Sequence, residues 1–197
     1  MNQNFTKLAF TDTVKGFQEQ HGSRQSYAKM EQSGDQFVLT DREKGFLEAF
    51  ESFYLATVGA DGWPYVQFRG GPPGFLHVLD ETTLGFADFR GNRQYISVGN
   101  LTDTQRASLI LVDYSTQQRL KIWAEAEIQE AADAPDLTKQ LTPENYNARI
   151  ERVILLHIRA YDWNCPQHIT PRYTLAQIAN EITHLNPQII KSCCPDE

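Results

Sequence analysis

Apolar positions are sparse at the start of the chain. Phe5, Leu8, Phe10, Val14 and Phe17 recur at roughly helical spacing in a polar stretch, which predicts a surface helix packed on a core supplied by later residues. Thr40-Asp41-Arg42-Glu43 then reads as a capping box, with Thr40 as N-cap and Glu43 three residues on. Phe46, Leu47 and Phe50 give the apolar face of a helix from about Asp41 to Ser52. After it the period falls to two. Phe53 to Val58 is aromatic and β-branched, Gly59-Ala60-Asp61-Gly62 is turn chemistry, and Tyr65 to Phe68 is a second strand, so the pair reads as a hairpin.

Further strands are expected at Phe75 to Leu79, Thr83 to Ala87, Ala107 to Tyr114 and Arg119 to Gln129, with a short helix over Asn92 to Leu101. Six consecutive short strands joined by tight turns predict a closed or nearly closed antiparallel barrel, because an open sheet of that size exposes its edges. A helix from about Asp136 to Leu141 precedes a long apolar strand, Arg152 to Tyr161, that closes the sheet. A proline-bearing loop, Asn164 to Pro171, leads to a last helix near Leu175 to His184. The expected class is mainly β with flanking helices. The expected organisation is a helical extension over 1–39, a barrel domain over 40–185 and a tail over 186–197.

Composition narrows the function classes. The chain has 197 residues, so one domain is expected. Hydrophobic residues at 41% and charged residues at 22% are globular rather than disordered composition. Lys+Arg 18 against Asp+Glu 25 gives 18 − 25 = −7, and that acidic balance argues against nucleic acid as a partner. Runs such as Val153 to Leu156 fall far short of the roughly 20 apolar residues of a membrane span. The first residues lack a basic and apolar leader, so a cytoplasmic location is expected. Cys193 and Cys194 are adjacent, which is not ligand spacing, and the His residues show no metal-site spacing, so no metal centre is expected.

Three segments can carry chemistry. In Gln67-Phe68-Arg69-Gly70-Gly71-Pro72-Pro73, a strand ends in a guanidinium beside two glycines; it reads equally as an anion site and as a tight turn with Arg69 facing solvent. In Asp88-Phe89-Arg90-Gly91-Asn92-Arg93, two arginine forks flank Asn92 as a helix N-cap, a combination suited to a phosphate dianion. In the third, Trp163 to Arg172, an aromatic ring and an arginine in a proline-stiffened loop can stack on a planar ligand, or Trp163 can plug the core. No side chain stands out as an acid or base. Cys165 and His168 lack a third, orienting group for nucleophilic catalysis.

Taken in order, the helix, the Asp-Gly hairpin, Gly70-Gly71-Pro72-Pro73, Arg90-Gly91-Asn92-Arg93 with Gly99-Asn100-Leu101, and the Trp163 to Arg172 loop resemble the pyridoxamine 5′-phosphate oxidase-like flavoproteins over roughly residues 40 to 175. The resemblance implies an antiparallel six-stranded split β-barrel that binds FMN at a homodimer interface, and an oxidoreductase acting on a small organic molecule. It implies that Gln67, Phe68, Arg69 and Gly70 run along the flavin and its ribityl phosphate, and that Arg90, Asn92 and Arg93 form the phosphate segment. Asp88 would pass the isoalloxazine edge and Asn100 would support the phosphate loop. Trp163 and Arg172 would reach the flavin of the second subunit. Two departures stand out: Gly70-Gly71-Pro72-Pro73 replaces the apolar run ending in Lys of the oxidase proper, and Pro166 to Arg172 replaces its Arg-Leu-His-Asp-Arg substrate segment. The alternative class is a non-catalytic flavin- or haem-binding protein, with His77, His157 or His168 as a haem ligand.

Overall fold

A computed structural model describes residues 4–32, 37–163 and 167–185. Asn164, Cys165 and Pro166 of the proline-bearing loop, and Cys193 and Cys194 of the tail, lie outside the described residues. Two compact units divide the chain: one holds the residues up to Leu111 and Leu120–Asn164, the other Val112–Arg119 with the residues from 165 on.

Three short helices, α1 (Phe5–Ala9), α2 (Asp12–Gln20) and α3 (Arg24–Gln32), stand where the spacing suggests one. Phe5 stacks on Trp123 at 5.7 Å, which seats α1 on the sheet. α4 (Asp41–Glu48) begins with the expected capping box, in which the Thr40 N–H donates to the Glu43 carboxylate at 3.0 Å. It ends short of Ser52 because β1 already starts there.

The sheet has seven strands: β1 (Ser52–Val58), β2 (Pro64–Gly70), β3 (His77–Asp80), β4 (Thr83–Phe89), β5 (Arg106–Asp113), β6 (Gln118–Glu130) and β7 (Ile150–Trp163). The residue pattern places all seven, one more than the six that the resemblance implies. Their order is β2-β1-β5-β6-β7-β4-β3, so the long apolar strand β7 is an interior member between β6 and β4. β2 and β3 are its edges, so the barrel is open, the split form that the resemblance implies. The sheet nevertheless rolls up. Phe53 on β1 meets Phe86 on β4 edge to face at 5.4 Å and stacks on Phe75 at 5.5 Å, although β1 and β4 are second and sixth in the order. Each such pair contributes about 1 kcal/mol beyond the area it buries.

Alternation sets the two faces. Leu84 and Phe86 of β4 and Ile154, Leu156 and Ile158 of β7 fill the rolled interior. Gly85 and Ala87 face outward, where Leu141 of α6 (Pro135–Leu141) covers them; a Cβ at Gly85 would stand 3.2 Å from Leu141. α5 (Ile96–Thr104) packs on β1. In the second unit α7 (Leu175–Leu185) starts with reciprocal bonds between Thr174 and Gln177, and Gln117 donates to the Ile169 carbonyl at 2.6 Å.

Candidate functional site

β2 is the edge strand whose inner face turns polar. Phe53, Leu55 and Thr57 of β1 are buried, and their register partners on β2 are Arg69, Gln67 and Tyr65. These three, spaced by two, line a concavity of about 180 Å³ together with Asp88, Asn92, Arg93, the first turn of α5 and Glu151. A second hollow of about 170 Å³ shares Gln67 and Arg69 and reaches Phe68, Gly70 and Phe75. Among the sequence-predicted residues, Gln67, Arg69, Asp88, Asn92 and Arg93 are thus brought to one place.

The anion segment is built differently from the expectation. Asn92 is not the N-cap of α5: its side chain accepts from the Gln94 N–H at 3.1 Å, and Tyr95 precedes the helix. The helix cannot begin earlier because Arg93 (φ 61°) and Tyr95 (φ 55°) are left-handed, a conformation that breaks α geometry. The effect is to place Arg93 beside the start of α5, whose first N–H groups, at Ile96 to Val98, have no intrahelical acceptor. Ser97 Oγ donates to Gln67 Oε1 at 2.8 Å and ties the helix start to β2.

Behind the concavity lies a buried ion network. Asp88 is 5% exposed and accepts from Arg69 Nη1 at 2.6 Å and from Arg152 Nη1 at 2.9 Å. Arg152 stands opposite Asp88 on β4 and Glu130 on β6, so its ion pairs, including 3.1 Å to Glu130, follow from register. A bulge between Asp88 and Phe89 leaves Glu151 unopposed on β7, and Glu151 turns to Arg90 at 3.3 Å and to the Tyr95 hydroxyl at 3.3 Å. Burial by itself would lower the pKa of Arg152; its hydrogen bonds to Glu130 and Asp88 outweigh that and raise it. The guanidinium also covers the Tyr95 ring at 5.1 Å. Arg69, Arg90 and Arg152 thus balance Asp88, Glu130 and Glu151 in charge. Arg93 is exposed and makes no ion pair among the described residues. Arg69 Nε is buried with no hydrogen-bond partner.

The family model described as pyridoxamine 5′-phosphate oxidase matches residues 39–164. The chain belongs to the pyridoxamine 5′-phosphate oxidase family. Among solved structures it is similar to HupZ from Group A Streptococcus, at 17% identity and TM-score 0.52 over 68% of this chain and 100% of that one. A single-residue variant of HupZ gives 16%, 0.53, 64% and 100%. A candidate pyridoxamine 5′-phosphate oxidase from Lactobacillus delbrueckii is 26% identical, with TM-score 0.48 over 64% of this chain and 93% of that one. None of the curated proteins matches the sequence.

The remaining predicted residues of this family member sit elsewhere. Arg90 pairs with Glu151, and Asn100 donates to Thr57 at 3.0 Å, holding α5 on β1. Trp163 packs edge to face on Phe46 at 4.7 Å, lies under the Arg42 guanidinium at 4.1 Å and donates its N–H to Glu43 at 2.7 Å. Burial would raise the Glu43 pKa, but hydrogen bonds from Thr40 and Trp163 overcome it and lower it. Burial first, and then the Glu43 charge, pushes the Tyr161 phenol up to about 12. Arg172, in the second unit, lies 4.9 Å over the Tyr114 ring. Of the histidines, His157 pairs with Glu127 on the sheet at 3.2 Å, His168 is exposed in the second unit, and His77 lines a different cleft.

The Gly70-Gly71-Pro72-Pro73 loop is a turn rather than a nest for an anion. Gly71 N–H donates to Glu51, Gly74 to Phe50 and Phe75 to Pro72, which occupies their amides. Gly71 is needed because a Cβ there would stand 2.6 Å from the Phe75 ring. The sequence reading missed Arg152, Glu151, Tyr95 and Ser97. Arg152 was the detectable one: it is two residues before Ile154 in the register of the buried face, where a charge requires partners.

Proposed function

We propose that this protein is a homodimeric FMN-binding oxidoreductase that acts on a small organic molecule. The observation that carries the reading is the convergence of Arg69, Arg93 and the α5 N-terminus on one concavity. Arg93, the cation outside the balanced network, holds the phosphate with the N–H groups of α5. Arg69 is held by Asp88 and lines the concavity, where the exposed part of its guanidinium would meet an acceptor on the ribityl chain or ring. Asp88 acts through Arg69. Gln67, fixed by Ser97, supplies a further polar contact along β2. The flavin, when bound, supplies the redox chemistry, and the protein binds and orients it.

A concavity of about 180 Å³ is smaller than the roughly 300–1,000 Å³ of small-molecule sites, so the ligand needs a second wall. A second copy is the source we favour. Trp63, Val66 and Phe68 are 76%, 60% and 58% exposed, and Phe68 packs on the half-exposed Tyr54 at 5.7 Å, an apolar strip that suits self-association. The replaced substrate segment, Pro166 to Arg172, supports a substrate other than a vitamin B6 phosphate.

The test is titration of the purified protein with FMN and with riboflavin, followed by anaerobic mixing with NADPH. Tight FMN binding with rapid bleaching supports the enzyme. Tight binding without bleaching supports a flavin store or sensor, and no binding of FMN overturns the reading.

A further inference from the structure

Tyr95 stands immediately before α5 with φ 55°, in the left-handed region that suits Gly or Asn and is costly for a bulky side chain. Arg93, two residues earlier, is left-handed as well. Backbone of this kind persists only where the surrounding contacts enforce it, and it collects where function needs a fixed geometry. The contacts that enforce it here are specific.

Tyr95 is held at both ends. Its carbonyl accepts from the Gly99 N–H at 2.8 Å, the first hydrogen bond of α5. Its side chain leaves the helix for β7, where the hydroxyl donates to Glu151 Oε1 at 3.3 Å and the ring lies under the Arg152 guanidinium at 5.1 Å. Those partners are themselves fixed. Arg152 is 8% exposed and paired with Asp88 and Glu130, and Glu151 is paired with Arg90. On the other side Ser97, 1% exposed, ties the same helix start to Gln67 on β2. The start of α5 is thus slung between β7 and β2, fifth and first in the sheet, and Tyr95, Glu151, Ser97 and Gln67 all line the concavity. Gly or Asn at position 95 would relieve the backbone and give up the reach to β7.

We propose that Tyr95 is a positioning residue for the phosphate: it sets the place of Arg93 and of the Ile96, Ser97 and Val98 N–H groups, and through them selects a phosphorylated ligand over its dephosphorylated form. Its own hydroxyl is committed to Glu151, so it acts through those groups. Hydrogen bonds weaken steeply as they bend, and a helix start freed from β7 loses the aim of several donors at once. The assignment rests on the flavin reading. It adds that recognition of the phosphate depends on a neutral aromatic residue anchored on another strand, as well as on the cation beside the helix.

The experiment compares Tyr95→Asn, which accepts left-handed backbone but loses both contacts with β7, and Tyr95→Phe, which keeps the ring and loses the hydroxyl bond. FMN and riboflavin are titrated into the full chain of each form and followed by flavin fluorescence, with circular dichroism as the check on fold. The parent protein should prefer FMN. Tyr95→Asn should weaken FMN at least about tenfold, about 1.4 kcal/mol, and change riboflavin by less than about twofold. Tyr95→Phe should fall between the parent and Tyr95→Asn. A purely structural role weakens both ligands alike, and that result, or an unchanged ratio of FMN to riboflavin affinity, overturns the assignment while leaving the flavin reading in place. Should Tyr95→Asn lose its fold, the ratio in Tyr95→Phe decides: a reduced preference for FMN supports the proposal and an unchanged one overturns it. A parent protein that binds neither flavin overturns the flavin reading itself, and this assignment with it.

Discussion

Arg69 and Asp88 are joined by an ion pair of 2.6 Å although their strands, β2 and β4, are first and sixth in the sheet. The pair lies across the gap between the ends of the sheet. Asp88 in turn holds Arg152 on the next strand, so one carboxylate bridges a partly buried and a buried guanidinium group.

Replacing Asp88 with Asn should therefore cost about 3–5 kcal/mol of stability, because Arg69 loses its ion-pair partner and Arg152 keeps only Glu130 and Glu151. Urea denaturation followed by circular dichroism measures it. A loss below about 1 kcal/mol would show that water reaches the pair and screens it.

Arg93→Ala should leave unfolding unchanged and weaken FMN by about 10- to 100-fold, the loss of a charge-assisted hydrogen bond. Riboflavin, which has no phosphate, should bind both forms alike. Equal weakening of the two ligands would place Arg93 away from the phosphate.

Glu43 gives stability a pH dependence of definite sign. Its folded pKa lies below its ordinary value of 4.5, so its contribution is complete above pH 4.5 and disappears as the pH falls through the lower folded value. Glu43→Gln should flatten the acid limb of a plot of urea midpoint against pH. An acid limb identical to that of the parent protein would contradict the assignment.

Two glycine substitutions should act in opposite directions. Gly71→Ala drives a Cβ to 2.6 Å from the Phe75 ring and should destabilise by about 1–3 kcal/mol. Gly45→Ala, inside α4 with nothing within 4 Å, should stabilise by about 0.5–1 kcal/mol. Thermal unfolding compares both.

Phe68→Lys should yield a monomer by light scattering and reduce FMN affinity together with it, if the apolar strip on β1 and β2 is where copies meet. A dimer that persists moves the interface to another face.

Most of the fold was legible because its signals are local. The Thr40 to Glu43 box, the Asp61-Gly62 turn and the alternation along β4 and β7 each lie within a few residues. The interior place of β7 was not, since strand order depends on pairings far apart in sequence. The same limit applies to the site. Arg69, Asn92 and Arg93 were visible as residue types beside glycines, but the partners of Arg69 come from β4 and β7, and no spacing rule connects those segments. The start of α5 was misplaced for another reason: two non-glycine residues there take left-handed backbone, which their side chains do not advertise.

The bulge opposite Phe89 makes chain length, and not only chemistry, a condition for this assembly. Glu151 reaches Arg90 and Tyr95 because one surplus residue on β7 swings it out of the ladder. Deleting Ile150 would restore regular pairing and remove that reach, even with every charged group kept. Relatives that preserve the arginines but differ by one position there should hold their loop after β4 differently.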